Sequence, residues 1–339
     1  MSRVFTRREF LKTSAAAAGM AALASRAEAA RAYSDEKMMT PGVAHLRIPH
    51  PRRFRILQIT DLHFFAGKLT LHDTGNRRTI ETMKKLVAKV HPNLLMVTGD
   101  LWPENRDGMA EPRMRYIIKQ IEALGVPWAY TWGNHDQLPD FKVGHEAFTK
   151  AKNSLYRGAD SDGNYVINLL SWWQGFRIGQ IVCLNTHRDG VQKEQQEWLK
   201  NLAKTDPGPL MRLAFFHIPL KQYEDIWNSG EAIGVIGENS ASEKEDGSTF
   251  TLLKSMGVIA CFCGHDHAND YSGELEDVDL VYGRATGAGG YGGAVIPKGG
   301  KFITVNCIKE WQTWISLTPD GKRWRPKPGE RIDKRRKKD

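Results

Sequence analysis

From Phe54 onward, short apolar runs alternate with longer stretches in which apolar residues recur every three or four positions. Phe54–Thr60 reads as a strand and runs straight into Asp61-Leu62-His63. Ile80, Met83, Val87 and Val90 fall at helical spacing and predict a helix that stops at His91-Pro92. Asn93–Thr98 is a second apolar run, ending in Gly99-Asp100. A helix over Arg113–Leu124 precedes a strand over Val126–Trp132, which delivers Gly133-Asn134-His135-Asp136. Further strands are expected at Tyr165–Leu170, Arg177–Asn185, Met211–Phe216 and Val258–Cys263. Gln192–Leu202 and Thr249–Met256 read as helices between them. From Val278 to about Leu317 the pattern is one of short strands separated by Gly-rich turns such as Gly287–Gly293.

Strands alternating with helices imply an α/β architecture. In such sheets, polar residues just past the strand ends converge on one crevice. Residues 30–53 show no clear period and read as a linker, so the folded domain is placed at 54–318, with a basic, disordered tail over 319–339. Lys221–Ser248 reads as a long polar loop directly after His217, either a rim over the crevice or a mobile surface insertion.

The first 29 residues form an address. Thr6-Arg7-Arg8-Glu9-Phe10-Leu11-Lys12 is followed by a mild apolar run from Thr13 to Ala24 and by Ala27-Glu28-Ala29, an A-x-A cleavage site. The paired arginines before Phe-Leu-Lys resemble the twin-arginine signals of bacteria, which are read by an export machinery that carries folded proteins. An ordinary secretory signal with a chance arginine pair is the alternative. Either way the expected destination is the periplasm or the exterior. No other stretch reaches the ~18 apolar residues of a membrane helix, so no membrane span is expected.

Charge then sharpens the picture. The formal net charge is +9, but residues 1–29 carry +3 and residues 322–339 carry +7, which leaves the body near −1. A nearly neutral body is no nucleic-acid footprint, so no specific nucleic-acid partner is expected. The basic tail could make weak contact with anionic surfaces, although a run of like charges is usually a solvated one. Cys183, Cys261, Cys263 and Cys307 are too few for a disulfide scaffold in 339 residues. They read as buried thiols rather than as a metal or redox pair.

The chemistry lies in five short motifs: Asp61-x-His63, Gly99-Asp100, Gly133-Asn134-His135-Asp136, His217, and Gly264-His265-Asp266-His267. Singly, each is weak; a lone histidine after a strand is more often a structural hydrogen-bonder. All five in order, each ending an apolar run, are very hard to obtain by chance. Oxygen and imidazole donors without thiolate suit Mn, Fe, Zn or Co.

This series resembles the calcineurin-like metallophosphoesterase family over roughly Phe54 to Tyr291. His217-Ile218-Pro219-Leu220 and the run from Gly264 to Tyr271 are most similar to the branch related to purple acid phosphatases. The resemblance implies a four-layer α/β/β/α sandwich of two mixed sheets. It implies one metal held by Asp61, His63, Asp100 and His267, and a second held by Asp100, Asn134, His217 and His265, with Asp100 bridging. The implied reaction is phosphate-ester hydrolysis by a metal-bridging hydroxide, with monoesters favoured over diesters. His135 would protonate the leaving oxygen or stabilise phosphoryl charge. Asp136 would orient that imidazole, or else act as a helix N-cap. Purple acid phosphatases carry a tyrosine where Pro103 stands here and a glycine where His63 stands, so the implied set is the D-x-H type without tyrosinate. A metal-containing binding protein without catalysis is the reading from another class.

Outside the motifs, His187 ends a strand and could approach substrate or serve structure. Trp102 and Tyr271 could line the pocket or simply pack. Gly287–Gly293 contains G-x-G-G but lacks the helix and acidic partner of a dinucleotide site, and reads as turns.

Overall fold

Two mixed sheets organise the chain in the computed structural model, which describes residues 41–66, 74–206, 208, 211–324 and 329–335. The signal peptide expected over 1–29 lies outside the described residues. The smaller sheet begins with three parallel strands, β2 (Phe54–Ile59), β3 (Leu94–Thr98) and β4 (Trp128–Thr131). Antiparallel strands β12 (Gly300–Asn306), β13 (Trp311–Leu317) and β14 (Arg323–Trp324) extend it beyond β2, giving the order β14-β13-β12-β2-β3-β4.

The larger sheet contains β1 (Val43–Ile48), β5 (Tyr165–Ser171), β6 (Arg177–Cys183), β7 (Arg212–Phe215), β8 (Ile233–Ile236), β9 (Val258–Cys263), β10 (Asp270–Leu275), β11 (Val278–Tyr282) and β15 (Arg331–Asp333). Its order is β1-β5-β6-β7-β9-β11-β10-β8-β15. Inner strands are rich in apolar residues; every residue of β3 and of β5 is buried, as expected of strands covered on both faces.

Helices cover the outer faces. α1 (Thr74–Val90) turns Thr79, Thr82, Met83, Leu86, Val87 and Val90 inward at helical spacing and packs against β2. α2 (Ala110–Glu122) and α3 (Phe141–Lys150) pack against each other. On the larger sheet, α4 (Lys193–Thr205) packs against α6 (Ser248–Ser255), α6 against β9, and α5 (Gln222–Ser229) against β10. The sheets meet through contacts such as Gln58 Nε2, which donates to Thr98 Oγ1 at 2.9 Å and to the Cys263 carbonyl at 2.9 Å. The architecture is the expected α/β/β/α sandwich.

Three expectations need correction. Residues 43–48 are no linker: Ala44, Leu46 and Ile48 are buried on alternate positions, and β1 pairs in parallel with β5. The alternation is only six residues long and is flanked by prolines, which hides it. The segment 221–248 is not one loop, because α5 buries Tyr223, Ile226 and Trp227 and β8 joins the sheet beside β10. Nor is the C-terminal tail unstructured where it is described. β15 pairs with β8, and the Arg331 guanidinium lies 4.6 Å from the Trp227 ring.

A buried ionic cluster ties the sheets together. Asp270, at the start of β10, accepts from Arg284 Nε at 2.9 Å and from Ser316 Oγ of β13 at 2.9 Å, and also pairs with Lys301 of β12. Burial alone would raise the Asp270 pKa, but Arg284 and Lys301 outweigh it and hold it at about 2. A carboxyl depressed in the folded state contributes stability above its unfolded pKa of about 3.9, and that contribution is lost as pH falls through the folded value. Asp270→Asn should therefore cost ~3–5 kcal/mol near neutrality by leaving two buried cations without their anion. Urea unfolding from pH 7 to pH 2 checks this. The gap between wild type and variant should narrow by about 2 kcal/mol between about pH 4 and pH 2, and a gap independent of pH would contradict the assignment.

Candidate metal centre

The five motifs meet at one end of the sandwich, where the two sheets face each other. β2, β3 and β4 of the smaller sheet lead into Asp61-Leu62-His63, Gly99-Asp100 and Gly133-Asn134-His135-Asp136, while β7 and β9 of the larger sheet lead into His217 and Gly264-His265-Asp266-His267. Backbone bonds lock the loops together: Asp61 N donates to the Gly99 carbonyl at 3.1 Å, His63 N to Asp100 at 3.0 Å, and Gly264 N to His217 at 2.9 Å. Asp61, His63, Asp100 and His265 all have positive φ (53°, 40°, 55° and 74°). Non-glycine residues held there cost of order 1–3 kcal/mol each and cluster at functional sites.

All seven expected ligands are brought together. Asp61, His63, Asp100 and His267 offer atoms within 4.8 Å of one another, as do Asp100, His217 and His265, so Asp100 belongs to both groups. Asp100 Oδ2 lies 3.4 Å from His63 Nε2 and 3.3 Å from His217 Nε2. Asn134 Oδ1 is 2.9 Å from His217 Nε2 and 3.0 Å from His265 Nδ1. On the other side, His267 Nε2 is 3.3 Å from Asp61 Oδ1 and 3.1 Å from His63 Nε2.

The donor set fits cations. Asp61 Oδ1 is buried with no hydrogen-bond partner among the described residues, and two imidazole nitrogens that point at each other cannot both carry protons. Burial, the largest influence, pushes the His63 and His265 pKa values down to about 4, which leaves neutral rings with lone pairs to give. Burial alone would raise the Asp61 and Asp100 carboxyls, but facing imidazoles outweigh it and hold both below the usual carboxylate range. For His217 the balance runs the other way: burial would lower the ring, and the Asp100 carboxylate lifts it to about 10. Gly99 is obligatory in this packing, since it sits at φ +82° and a Cβ there would lie 2.6 Å from His217 Nδ1.

Outer partners orient the ligands. His217 Nδ1 donates to the Thr98 carbonyl at 2.8 Å, and His265 Nε2 lies 3.5 Å from Glu243 Oε1. Glu243 belongs to residues 237–247, the part of the expected polar loop that does form a rim. That rim is stitched to the last motif by Ala268 N donating to Glu238 Oε1 at 2.7 Å, and by Gly237 N donating to Asn269 Oδ1 at 3.0 Å. Glu238 and Glu243 were out of reach of motif reading, because only the fold brings them to the site.

His135 is half-buried at the mouth; its ring centroid is 5.3 Å from that of His63, and its backbone N donates to Asp100 Oδ1 at 2.9 Å. Trp102 and Tyr271 are buried packing residues, bonded to the Gln137 and Tyr223 carbonyls. His187 pairs with Asp162 at 2.5 Å.

Asp136 requires a correction, for it neither faces His135 nor caps a helix. Fully buried, it accepts from Tyr130 Oη at 2.7 Å and from the backbone N–H groups of Asp100 (2.8 Å), Leu101 (2.7 Å) and Gly133 (2.9 Å). Its carboxylate thus clamps the loops after β3 and β4. Each buried N–H left unmet costs ~1–3 kcal/mol, so Asp136→Ala should lower stability by several kcal/mol and weaken metal uptake together. Thermal unfolding and metal content of the purified variant check this; unchanged stability with only a shifted pH–rate profile would restore the expected role toward His135.

Comparison with known proteins agrees with this geometry. Residues 54–269 match the family model for calcineurin-like phosphoesterases, and residues 4–24 match that for the twin-arginine translocation signal, so the chain is exported to the periplasm or beyond. It is 27% identical over 321 residues to "Probable inactive purple acid phosphatase 28" of Arabidopsis thaliana, covering 80% of each chain. It is 25% identical over 271 residues to "Phosphatase DCR2" of Saccharomyces cerevisiae, covering 68% of this chain and 46% of that one. The fold is shared with a dimetal phosphatase from Danio rerio, at 12% identity and TM-score 0.52 over 74% of this chain and 92% of that one. A purple acid phosphatase from yellow lupin seeds also shares it, at TM-score 0.51, 12% identity, and 80% and 53% coverage. With nearly two thirds of its length matched by one family model and its motifs gathered at the strand ends, the chain belongs to the calcineurin-like phosphoesterase family.

Proposed function

We propose that this exported chain hydrolyses phosphate esters, monoesters in preference to diesters, at a centre that binds two metal ions. The observation that carries the reading is the convergence of six Asp and His side chains, with Asp100 common to two groups of donors and Asn134 beside His217 and His265. Asp61, His63, Asp100 and His267 would hold one ion, and Asp100, Asn134, His217 and His265 the other; Mn, Fe, Zn and Co all suit these donors. Bound there, two such ions supply Lewis-acid charge and a water of lowered pKa. The chain's own part is to fix these donors on buried, hydrogen-bonded loops and to hold His135 at the mouth, beside His63. From that position His135 would donate a proton to the leaving oxygen or hydrogen-bond a phosphoryl oxygen.

A metal-binding protein without catalysis is the second reading, favoured by the description of the Arabidopsis relative as "Probable inactive". The presence of every ligand and of His135 supports the catalytic reading over it. The mature chain should carry about two metals and turn over p-nitrophenyl phosphate faster than bis-p-nitrophenyl phosphate. Asp100→Ala should lose metal and activity together, whereas His135→Ala should keep its metal and lose ~10²–10⁴-fold in turnover. Two metals with no turnover of either ester would favour the binding reading, and no metal uptake would overturn both.

A further inference from the structure

Tyr291 lies outside every ligand motif, in the Gly-rich segment that reads as turns. It is 57% exposed, yet two contacts pin it at the centre. Its ring stacks on His267, with centroids 4.1 Å apart and planes 18° from parallel. Its hydroxyl donates to Glu238 Oε2 at 2.9 Å, while the other oxygen of that carboxylate accepts from Ala268 N, next to His267. Lys298 Nζ donates to the Tyr291 carbonyl and holds the backbone as well. The neighbouring Gly290 lets the segment lie this close, since a Cβ there would sit 2.9 Å from His267 Cε1 and 3.2 Å from His63 Cδ2.

His267 needs such a partner. The second nitrogens of His217 and His265 face polar partners, the Thr98 carbonyl at 2.8 Å and the Glu243 carboxylate at 3.5 Å. Buried His267 Nδ1 has no hydrogen-bond partner among the described residues, so this ring lacks the outer polar contact that would hold it from behind while its Nε2 faces Asp61 and His63. Resting on the metal-centre reading above, we infer that Tyr291 is the positioning residue for His267. Ring stacking replaces the usual outer hydrogen bond, and Glu238 holds the stacking ring in place. The effect is confined to one pole of the centre, the one formed by Asp61, His63, Asp100 and His267. At the opposite pole Thr98 and Glu243 face the histidines, and the contacts of Tyr291 among the described residues go to His267, Glu238 and Lys298.

The test is a calorimetric titration of the metal-stripped mature chain with Mn²⁺ alone, for wild type, Tyr291→Ala and Tyr291→Phe. Loss of an outer-shell partner typically weakens metal binding ~10–100-fold, so Tyr291→Ala should weaken one of two binding steps by that factor and leave the other near wild type. Tyr291→Phe keeps the stacking face and should recover most of the loss. Melting temperatures of the stripped proteins should agree, because Tyr291 is largely exposed. Two wild-type steps that are unchanged in Tyr291→Ala would overturn the inference. So would both steps weakening equally, or Phe performing no better than Ala. A wild-type chain that takes up no Mn²⁺ would instead overturn the metal-centre reading, and this inference with it.

Discussion

The geometry of the centre depends on one buried carboxylate whose hydrogen bonds among the described residues go to a tyrosine hydroxyl and to backbone N–H groups. Asp136 accepts from the Tyr130 hydroxyl and from the backbone of both Asp100 and Gly133, so the loops after β3 and β4 share a single anchor. Burial and the charge of Asp100 push its pKa up to about 6, against the pull of its hydrogen bonds. Two anions are thus held close together inside the protein. That arrangement suits a place where positive charge is meant to reside.

A second constraint is that the ligands come from both sheets. Asp61, His63, Asp100 and Asn134 follow strands of the smaller sheet; His217, His265 and His267 follow strands of the larger. Their distances are therefore only as good as the alignment of the sheets. Gln58, bonded to Thr98 and to the Cys263 carbonyl, sets that alignment near the centre. The Asp270, Arg284 and Lys301 cluster, together with Ser316, sets it farther back. The last motif serves both purposes. Its histidines face the centre, Asn269 receives the rim, and Asp270 joins the sheets.

Much of this was legible in the sequence because its signals are local. An apolar run that ends in Asp, Asn or His predicts both the strand and the loop that carries the donor, and all seven expected ligands meet. What escaped was set by distant contacts. β1 is too short for its alternation to stand out, and α3 contains Gly144, whose missing side chain makes room for Trp132 and Leu138. Asp136 sits beside His135 in sequence, yet the tight turn points it the other way, so adjacency misled. Glu238, Glu243 and Tyr291 lie in polar or glycine-rich segments with no period to read. Their roles arise only when the fold brings them to His265 and His267.

The four cysteines draw out a consequence of the same packing. All are free and buried, and Cys261 and Cys263 stand one residue apart on the same strand. Burial pushes the thiols of Cys183 and Cys307 up to about 12, far from the reactive thiolate. Compartments outside the cytoplasm oxidise exposed thiols, and an unfolded chain arriving there would offer four partners for wrong crosslinks. A route that moves the chain already folded lets these residues keep the small apolar volume the sheets require, with no need for a disulfide. Folding first and crossing afterwards is the order that suits such a core.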